Sequence, residues 1–295
     1  MLKIDNKCLV CEGKSLKNFI TGYNKFWPRY FKRVAICKRC GHIQLNPLYE
    51  PEEYKLINSN FFSKNYLVDG NLNKKNNARK LKKIDDFIFD KLSQDIKVLD
   101  VGAGEAWALP YFMKHCGNYA AIEEVPQLRS AIETNGGDVI ADSLNSDLTK
   151  FKGKFDIIIF RHIIEHLLDP KKHLKILRSL LSDKGFIFLA LPNCGQPGSK
   201  KGFRTSFLRP VHISYFCEGN CERIVNQCGL KIDKKQIDGE IQYLLSKSSF
   251  LSGDLIYENF YNSQIDIFKK SANKMLIKDI TYTMRELAGI LLKRK

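Results

Sequence analysis

The middle of the chain alternates short apolar runs with polar segments long enough to form helices. Continuous apolar runs are typical of strands that are buried on both faces, and their alternation with helices indicates a parallel sheet. We therefore predict an α/β domain with a doubly wound, mostly parallel sheet over residues 96–245. Its five predicted strands are Lys97–Asp100, Tyr119–Ile122, Asp138–Ala141, Phe155–Phe160 and Gly185–Leu191.

The flanking segments show other patterns. Residues 1–49 form a segment that is too small to fold on core burial alone. Residues 50–95 are polar and are interrupted by prolines, asparagines and serine before helical spacing resumes, so we predict a linker, a lid and a leading helix there. A helix over 218–228 stops at Gly229 and precedes a strand over 230–238. Past Leu244 the pattern is mainly helical, which predicts a C-terminal helical extension over 246–295.

Composition adds a strong positive charge. Lys and Arg number 48 against 32 Asp and Glu, a net charge of +16. This balance favours anionic partners such as a nucleotide-sugar, nucleic acid or an anionic membrane surface, although abundant Lys, Asn and Ile also fit a low-GC coding bias and a solvated surface.

The N-terminus lacks an apolar leader and no run is long enough to span a bilayer, so we expect a cytoplasmic protein. The basic amphipathic end over 277–295 is expected to pack on the domain or in a homodimer, with membrane docking as the alternative.

Two CxxC pairs separated by 25 residues indicate a metal site in the N-terminal segment. In a zinc ribbon, two such knuckles direct four thiolates at one Zn²⁺, and a closed site of this kind is structural. An iron site or two unrelated thiol pairs are the alternatives. We expect His42 to lie on the surface, and the remaining five cysteines to be buried small side chains in a reducing compartment. The predicted ligands are Cys8, Cys11, Cys37 and Cys40.

A glycine-containing loop follows the first strand of the domain. Gly102 and Gly104 permit a tight turn and close approach of the backbone to a nucleotide-type ligand, with a helix expected to start near Glu105. Trp107 stands where the dinucleotide motif needs a small residue, and no phosphate-binding loop motif occurs. Asp100 at the strand end repels phosphates and attracts a ligand with a cationic amine and a sulfonium, so S-adenosylmethionine is the predicted cofactor.

Further acids follow the next strands. Glu123 lies about twenty residues beyond the glycines, where a carboxylate accepts protons from both ribose hydroxyls, with Glu124 as the neighbour that competes for this assignment. Asp142 after the third strand faces the adenine amine or is an ordinary exposed acid. The predicted cofactor residues are Asp100, Gly102, Ala103, Gly104, Glu123, Asp142 and Arg161.

These segments resemble the class I S-adenosylmethionine-dependent methyltransferases, which have a Rossmann-like fold. The resemblance covers residues 80–240 and rests on VLDVGAGEA, on the Ala121-Ile122-Glu123 strand end and on the segment from Phe155 to His166. It implies that Asp100 and the glycines hold the methionyl part and that Glu123 holds the ribose. Ala106 stands where many members have a third glycine.

The order of ribbon, aromatic lid and this domain is similar to a bacterial group that methylates nucleotide-linked sugars, including deoxysugar C-methyltransferases. Val211-His212-Ile213-Ser214-Tyr215-Phe216 resembles their EHxxYFS motif, in which the Glu-His pair implies a general base. Val211 replaces that glutamate, and the chain is shorter by most of a C-terminal domain. O-methylation is therefore slightly favoured over C- or N-methylation.

Methyl transfer often needs a base near neutral pKa, and histidine suits that task. His162 and His166 are four residues apart and are expected to share a helix face at the carboxyl edge of the sheet, with His212 closing the crevice from another loop. For His166 the alternative is a supporting role beside the cofactor, and for the lid residue Tyr66 it is packing against the substrate. The predicted catalytic residues are His212, His162, His166 and Tyr66.

Three functions remain in competition at this point. The first is methylation of a small molecule, expected to be an anionic nucleotide-sugar. The second is methylation of RNA, gripped through its phosphates by the ribbon and the basic surface. The third is a zinc-binding protein with a relic fold, which the full set of predicted cofactor residues disfavours.

Overall fold

A seven-stranded sheet forms the centre of the computed structural model, which describes residues 7–20, 34–66, 74–196, 209, 211–249 and 258–267. Its strands are β4 Val98–Val101, β5 Ala120–Ile122, β6 Asp138–Ala141, β7 Phe155–Arg161, β8 Leu181–Pro192, β10 Leu230–Ile237 and β11 Glu240–Lys247. The strand order is β10-β11-β8-β7-β4-β5-β6, in which β4 to β8 are parallel and β11 is antiparallel to both β8 and β10. The predicted doubly wound, mostly parallel sheet is therefore confirmed.

Alternate residues of the central strands enter two separate apolar cores, one on each face of the sheet. Leu99 of β4 and Ile158 of β7 belong to one core, whereas Val98 and Ile157 belong to the other. The β-branched and aromatic residues of these strands fit a pleated surface that is covered on both sides. Helices provide the cover: α2 Lys74–Ile88, α3 Leu109–Cys116, α4 Pro126–Thr134, α5 Pro170–Leu180 and α6 Glu218–Gln227.

The helix after the glycine loop begins later than predicted. We expected it near Glu105, but turns continue through the next residues and α3 starts at Leu109. Ala106 has a φ of +49°, a left-handed conformation that is incompatible with a continuous right-handed helix. The additional turn lengthens the loop at the edge of the sheet where ligands of such folds bind.

The last sheet strand corrects the prediction of mainly helical chain past Leu244. β11 continues to Lys247 and forms a hairpin with β10 through Asp238 and Gly239. Asp-Gly is a common hairpin turn, and this dipeptide was the available sequence signal for a second strand. Residues 261–267 are helical, and the rest of the predicted extension, 268–295, lies outside the described residues.

A second, smaller sheet joins the N-terminal segment to a distant part of the chain. Its strands are β1 Leu16–Ile20, β2 Val34–Cys37, β3 Ile43–Leu45 and β9 Ser214–Tyr215. The sheet has the order β1-β2-β3-β9 and is antiparallel throughout. Strand β9, which follows His212, pairs with β3 through Tyr215 and Ile43.

The predicted linker is instead a helix, α1 Pro51–Tyr66. Proline at the first helical position is already set for a helix, and Glu52 and Glu53 stabilise the positive end of the helix dipole. The helix-favouring proline, the two glutamates and tertiary packing together outweigh the low helix propensity of Asn58 and its neighbours. Among the residues that the structure describes, no helix has the length and apolar character to cross a bilayer.

Candidate functional site

The glycine loop forms a cradle at the carboxyl edge of the sheet. Gly102 has a φ of +68° and Gly104 a φ of +58°, both in the left-handed region that glycine enters without strain. The Gly102 N–H donates to the carbonyl of Ile122 over 2.8 Å, which fixes the loop to the neighbouring strand. A Cβ at Gly102 would meet Ile163 Cδ1 at 2.3 Å, so two loops of the sheet edge are in close contact there.

Asp100 lies beneath this loop and is 5% exposed. The Tyr119 hydroxyl donates to its Oδ2 over 2.6 Å. Burial raises the pKa of Asp100 to about 7, although the Tyr119 hydrogen bond opposes the shift. A buried carboxylate without a countercharge is costly, so this position favours a ligand that brings positive charge.

Glu123 connects the loop to the end of the second parallel strand. It is 6% exposed, and its two oxygens accept from the N–H groups of Gly104, over 2.7 Å, and Val125, over 2.9 Å. These bonds use one lone pair on each oxygen and leave further acceptor capacity. Asp142, by contrast, is exposed and accepts from the Ser146 hydroxyl over 2.7 Å.

His162 stands at the end of β7, between two carboxylates. Its Nδ1 lies 3.2 Å from Glu165 Oε1 and its Nε2 lies 2.9 Å from Glu240 Oε1. Burial lowers the pKa of His162, but these two hydrogen bonds outweigh it and raise the pKa above its ordinary value. Because carboxylate oxygens accept, His162 is held as an imidazolium that donates to both. Its φ of +55° is a strained conformation for a residue with a side chain.

Arg161 joins the same group of charges. Its guanidinium donates to Glu240 Oε1 over 2.7 Å, and Lys83 Nζ lies 2.8 Å from Glu240 Oε2. Burial by itself raises the pKa of Glu240, but the hydrogen bond from His162 and the charge of Arg161 bring it well below the ordinary value. The prediction that Arg161 touches the cofactor remains a prediction.

The other two predicted histidines meet around Glu165. The rings of His166 and His212 are 5.0 Å apart, edge to face, and His166 Nε2 is 3.9 Å from Glu165 Oε1. Burial lowers the pKa of His166, and lowers that of His212 to about 3, so both imidazoles are neutral. Burial also acts to raise the pKa of Glu165, but the His162 hydrogen bond and the adjacent histidines bring it to about 2.

The shared helix face predicted for His162 and His166 is wrong. Residues Ile164–His166 form a single 3₁₀ turn, and the left-handed backbone of His162 precedes it. The two side chains are instead brought together through Glu165, which pairs with His162 and lies beside His166. Turn geometry of this kind leaves no periodic signal in the sequence.

Helix α1 lies across this edge of the sheet. The Tyr54 hydroxyl donates to the carbonyl of Val211 over 2.8 Å, and the Asn58 amide donates to Glu124 Oε2 over 3.3 Å. The helix thus contacts both the His212 loop and the segment after Glu123, and its role as a lid remains a prediction. Tyr66 is its last residue, and the side chain of Tyr66 lies outside the described residues.

The four paired cysteines converge in the N-terminal segment. Sulfur–sulfur distances are 3.6 Å for Cys8 and Cys40 and 3.5 Å for Cys11 and Cys37, and all four sulfurs lie within 4.8 Å of one another. Four thiolates at 2.3 Å from a tetrahedral Zn²⁺ would be about 3.8 Å apart. The sulfur positions therefore fit a four-thiolate zinc site.

The surface position predicted for His42 is wrong. His42 is fully buried, with its Nε2 3.3 Å from Ser214 Oγ and its ring 4.9 Å from that of Phe216. His173 is buried as well, and its Nδ1 lies 2.6 Å from the Asp169 carbonyl. The remaining five cysteines are buried, as predicted.

Sequence reasoning missed three residues of the site. Glu240 begins a strand that the sequence pattern does not predict, and the pattern assigns Tyr119 only to a strand and Lys83 only to a helix. The Asp-Gly turn before Glu240 was the one usable signal. The partners of Tyr119 and Lys83 are 19 and 157 positions away, a separation that no local pattern encodes.

Comparisons with solved structures agree with this architecture. A 1,6-didemethyltoxoflavin-N1-methyltransferase from Burkholderia thailandensis, solved with 1,6-didemethyltoxoflavin and S-adenosylhomocysteine, is similar with a TM-score of 0.53 and 17% identity, over 70% of this chain and 96% of the other. An S-adenosylmethionine-dependent methyltransferase from Leishmania major has a TM-score of 0.52 and 15% identity, over 67% and 85% of the two chains. At such identities the likeness shows a common fold.

The search among curated proteins gave no match. A family match is found over residues 73–235, which contain the glycine loop, both buried acids and all three clustered histidines, and which make up more than half of the chain. The fold and this match lead to one conclusion: the chain belongs to the family described as a methyltransferase domain and is a methyltransferase.

Proposed function

We propose that the protein transfers a methyl group from S-adenosylmethionine to an oxygen of a small molecule, namely a sugar or a nucleotide-linked sugar. The observation that carries the cofactor assignment is the pair of buried carboxylates, Asp100 and Glu123, on either side of the left-handed glycine loop. Asp100 offers negative charge to the cationic methionyl end, and the lone pairs of Glu123 that remain free suit two ribose hydroxyls. A structural neighbour that holds S-adenosylhomocysteine supports the same cofactor.

The reaction needs a proton acceptor as well as alignment. The acceptor oxygen forms a bond to the methyl carbon while the sulfonium sulfur takes back the electron pair of the broken S–C bond, and the hydroxyl proton must leave. We assign removal of that proton to the cluster of Glu165, His166 and His212. Its position beside Ile163, which touches Gly102, supports this assignment.

The acceptor proposal rests on the charge balance and on the arrangement of the N-terminal segment. A net charge of +16 favours an anionic acceptor such as a nucleotide-sugar over a neutral one. The four cysteines fit a zinc ribbon that is structural because a closed site leaves no position for substrate. The small sheet includes the strand after His212, and this contact supports a role of the N-terminal segment in orienting the acceptor.

A screen of nucleotide-sugars for methyl uptake tests the proposal. We expect saturable S-adenosylmethionine binding by calorimetry and labelled methyl incorporation into at least one nucleotide-sugar. Asp100→Ala should abolish cofactor binding without changing the zinc content. Undiminished binding in that variant would overturn the cofactor assignment, and methyl uptake by RNA alone would overturn the acceptor assignment.

RNA methylation is the second candidate because lysines gather on one surface. Lys152, Lys171, Lys172 and Lys175 border a single depression together with Glu12 of the N-terminal segment. Lys171 is already paired with Glu12 at 2.7 Å, which reduces the charge available for phosphates. RNA affinity that falls steeply with added salt would support this candidate, and absence of binding at low salt would remove it.

A further inference from the structure

Glu165, His166 and His212 bring three metal-binding groups to one buried point. One ligand atom from each side chain lies within 4.8 Å of the other two. Glu165 is 2% exposed, and both histidine rings are largely shielded from solvent. The cluster differs from the four-cysteine site in its ligand types, because it offers imidazole and carboxylate ligands instead of thiolates.

The second oxygen of Glu165 points to a missing positive partner. Glu165 Oε1 lies near His162, whereas Glu165 Oε2 is buried and has no hydrogen-bond partner among the described residues. A buried carboxylate oxygen that is left in this state is costly, and proteins offset that cost with a hydrogen bond, a cation or a metal ion. The uncompensated oxygen is therefore an observation independent of the proximity of the three side chains.

The tautomer of His166 also suits metal binding. Its Nδ1 is 2.9 Å from the carbonyl of Val211, and because a carbonyl only accepts, the proton is on Nδ1. The lone pair is consequently on Nε2, the atom on the Glu165 side. Histidines that bind metals commonly donate the other ring N–H to a backbone carbonyl in this way, which fixes the orientation of the ring.

We propose that Glu165, His166 and His212 bind one divalent transition-metal ion of the Zn²⁺, Fe²⁺ or Co²⁺ type. Two imidazoles and one carboxylate suit these ions better than Mg²⁺ or Ca²⁺, which prefer oxygen ligands. Ligand atoms around tetrahedral Zn²⁺ are about 3.4 Å apart, so binding draws the three side chains together. Three protein ligands leave at least one coordination position for water or an acceptor oxygen.

The site would also connect two parts of the chain. Glu165 and His166 follow β7 of the large sheet, and His212 precedes the strand that joins the small sheet. An ion shared between them would fix the distance between the two sheets at the cofactor edge. Binding of the ion is independent of the cofactor assignment. With the ion bound, the three side chains would act as ligands in place of the base, and the ion would acidify a coordinated acceptor hydroxyl so that its proton passes to solvent water.

Metal content and Co²⁺ spectroscopy on the full chain test the proposal. After equilibration with Zn²⁺ and dialysis, we expect two ions per wild-type chain by mass spectrometry and one per chain in Glu165→Gln and in a His166→Gln, His212→Gln double variant. The matched control is His115→Gln, at a histidine outside the cluster, which should keep two ions. Retained far-UV circular dichroism establishes that the variants are folded.

Spectra of the Co²⁺-loaded protein separate the two sites. Thiolate-to-metal charge transfer arises only at the cysteine site, so the proposed site contributes ligand-field absorption without it, and Glu165→Gln should lose that component alone. A wild-type chain that binds only thiolate-ligated metal would overturn the proposal, as would two ions in both variants. The wild-type measurement tests the proposal even where a variant does not fold. One ion per wild-type chain without charge transfer would support the proposed site and would contradict the zinc ribbon.

Discussion

Gly102 and Gly104 share a left-handed backbone but differ in their surroundings. A Cβ at Gly102 would lie 2.3 Å from Ile163 Cδ1, whereas at Gly104 the nearest atom is a backbone oxygen at 4.0 Å. The requirement for glycine thus has two causes, backbone strain at both positions and steric overlap at only one. Ala106, at a φ of +49°, shows that the backbone strain alone is tolerated in this loop.

Alanine substitutions should separate these two causes. Gly104→Ala should lower the free energy of unfolding by about 1 to 2 kcal/mol, the cost of a side chain in the left-handed region. Gly102→Ala should cost about 1 to 3 kcal/mol more because the methyl group overlaps Ile163. Urea denaturation measures both, and adding Ile163→Val, which removes Cδ1, should recover part of the loss. Equal losses for the two alanine variants would contradict the argument.

The pKa of Asp100 makes cofactor affinity depend on pH. Burial raises this pKa to about 7, and the cationic cofactor selects the ionised form. Affinity for S-adenosylmethionine should therefore rise by about tenfold per pH unit below 7 and level off above it. Calorimetry from pH 5.5 to 8.5 checks the profile. Asp100→Asn should bind weakly with no such slope, whereas the control Asp138→Asn, at an exposed acid of the sheet, should behave as wild type.

The ligand-free protein should show the opposite trend in stability. Because the folded pKa lies above the ordinary 3.8, the folded state binds the proton more tightly than the unfolded state does. The contribution of Asp100 to stability is therefore present below pH 4 and is lost as the pH rises to 7. The stability difference between wild type and Asp100→Asn, measured by denaturation across this window, should follow that sign.

At the scale of elements, strand Glu240–Lys247 supplies a charge that the site needs. Its first residue pairs with Pro192 at the end of the central strand β8, which places the Glu240 carboxylate against Arg161 and His162. A helix at this position could not deliver Glu240 in that register. The hairpin turn after Ile237 is thus a local feature with an effect on the site.

Replacing Glu240 should destabilise the protein mainly at neutral pH. Glu240→Gln leaves Arg161, His162 and Lys83 without their shared carboxylate, and breaking a largely buried ion pair costs about 3 kcal/mol. Because these partners hold the pKa of Glu240 below 4.5, the advantage of the wild type should shrink as the pH falls below that value.

Thermal and urea denaturation between pH 3 and 8 measure the effect. The matched control is Glu222→Gln, which removes a partly exposed pair with Lys235 and should change stability by less than about 1 kcal/mol. A similar small change in Glu240→Gln at all pH values would show that the charge network contributes little.

At the scale of the whole molecule, the small sheet joins the cysteine segment to the histidine loop. Ile43 pairs with Tyr215, and the Leu45 N–H donates to the Ile213 carbonyl over 2.9 Å. The loop that carries His212 is therefore held between the small sheet and the 3₁₀ turn, where the Ile213 N–H donates to the Glu165 carbonyl over 2.7 Å. Loss of the cysteine site should therefore change the position of His212 more than that of the glycine loop.

Removing the proposed zinc site should affect the acceptor more than the cofactor. Cys11→Ser combined with Cys37→Ser should lower the metal content by one ion and reduce methyl transfer at least tenfold, because the small sheet loosens around His212. The dissociation constant of S-adenosylmethionine, measured by calorimetry, should change less than threefold. Cys116→Ser, at a buried cysteine outside the cluster, is the control and should keep its metal. Loss of cofactor binding in the double variant would contradict this division.

Local patterns in the sequence determined the parallel sheet, the glycine loop and the paired cysteines, because each depends on residues close together in the chain. Buried strands appear in the sequence as apolar runs, and a tight loop requires glycine where φ is positive. The tertiary structure alone decided that Tyr119 donates to Asp100 and that Glu240 meets His162. It also decided that β9 completes the N-terminal sheet. Contacts between residues 19 to 172 positions apart arise from packing of whole elements, and hydrophobic periodicity specifies which face of an element is buried, not which distant side chain it meets.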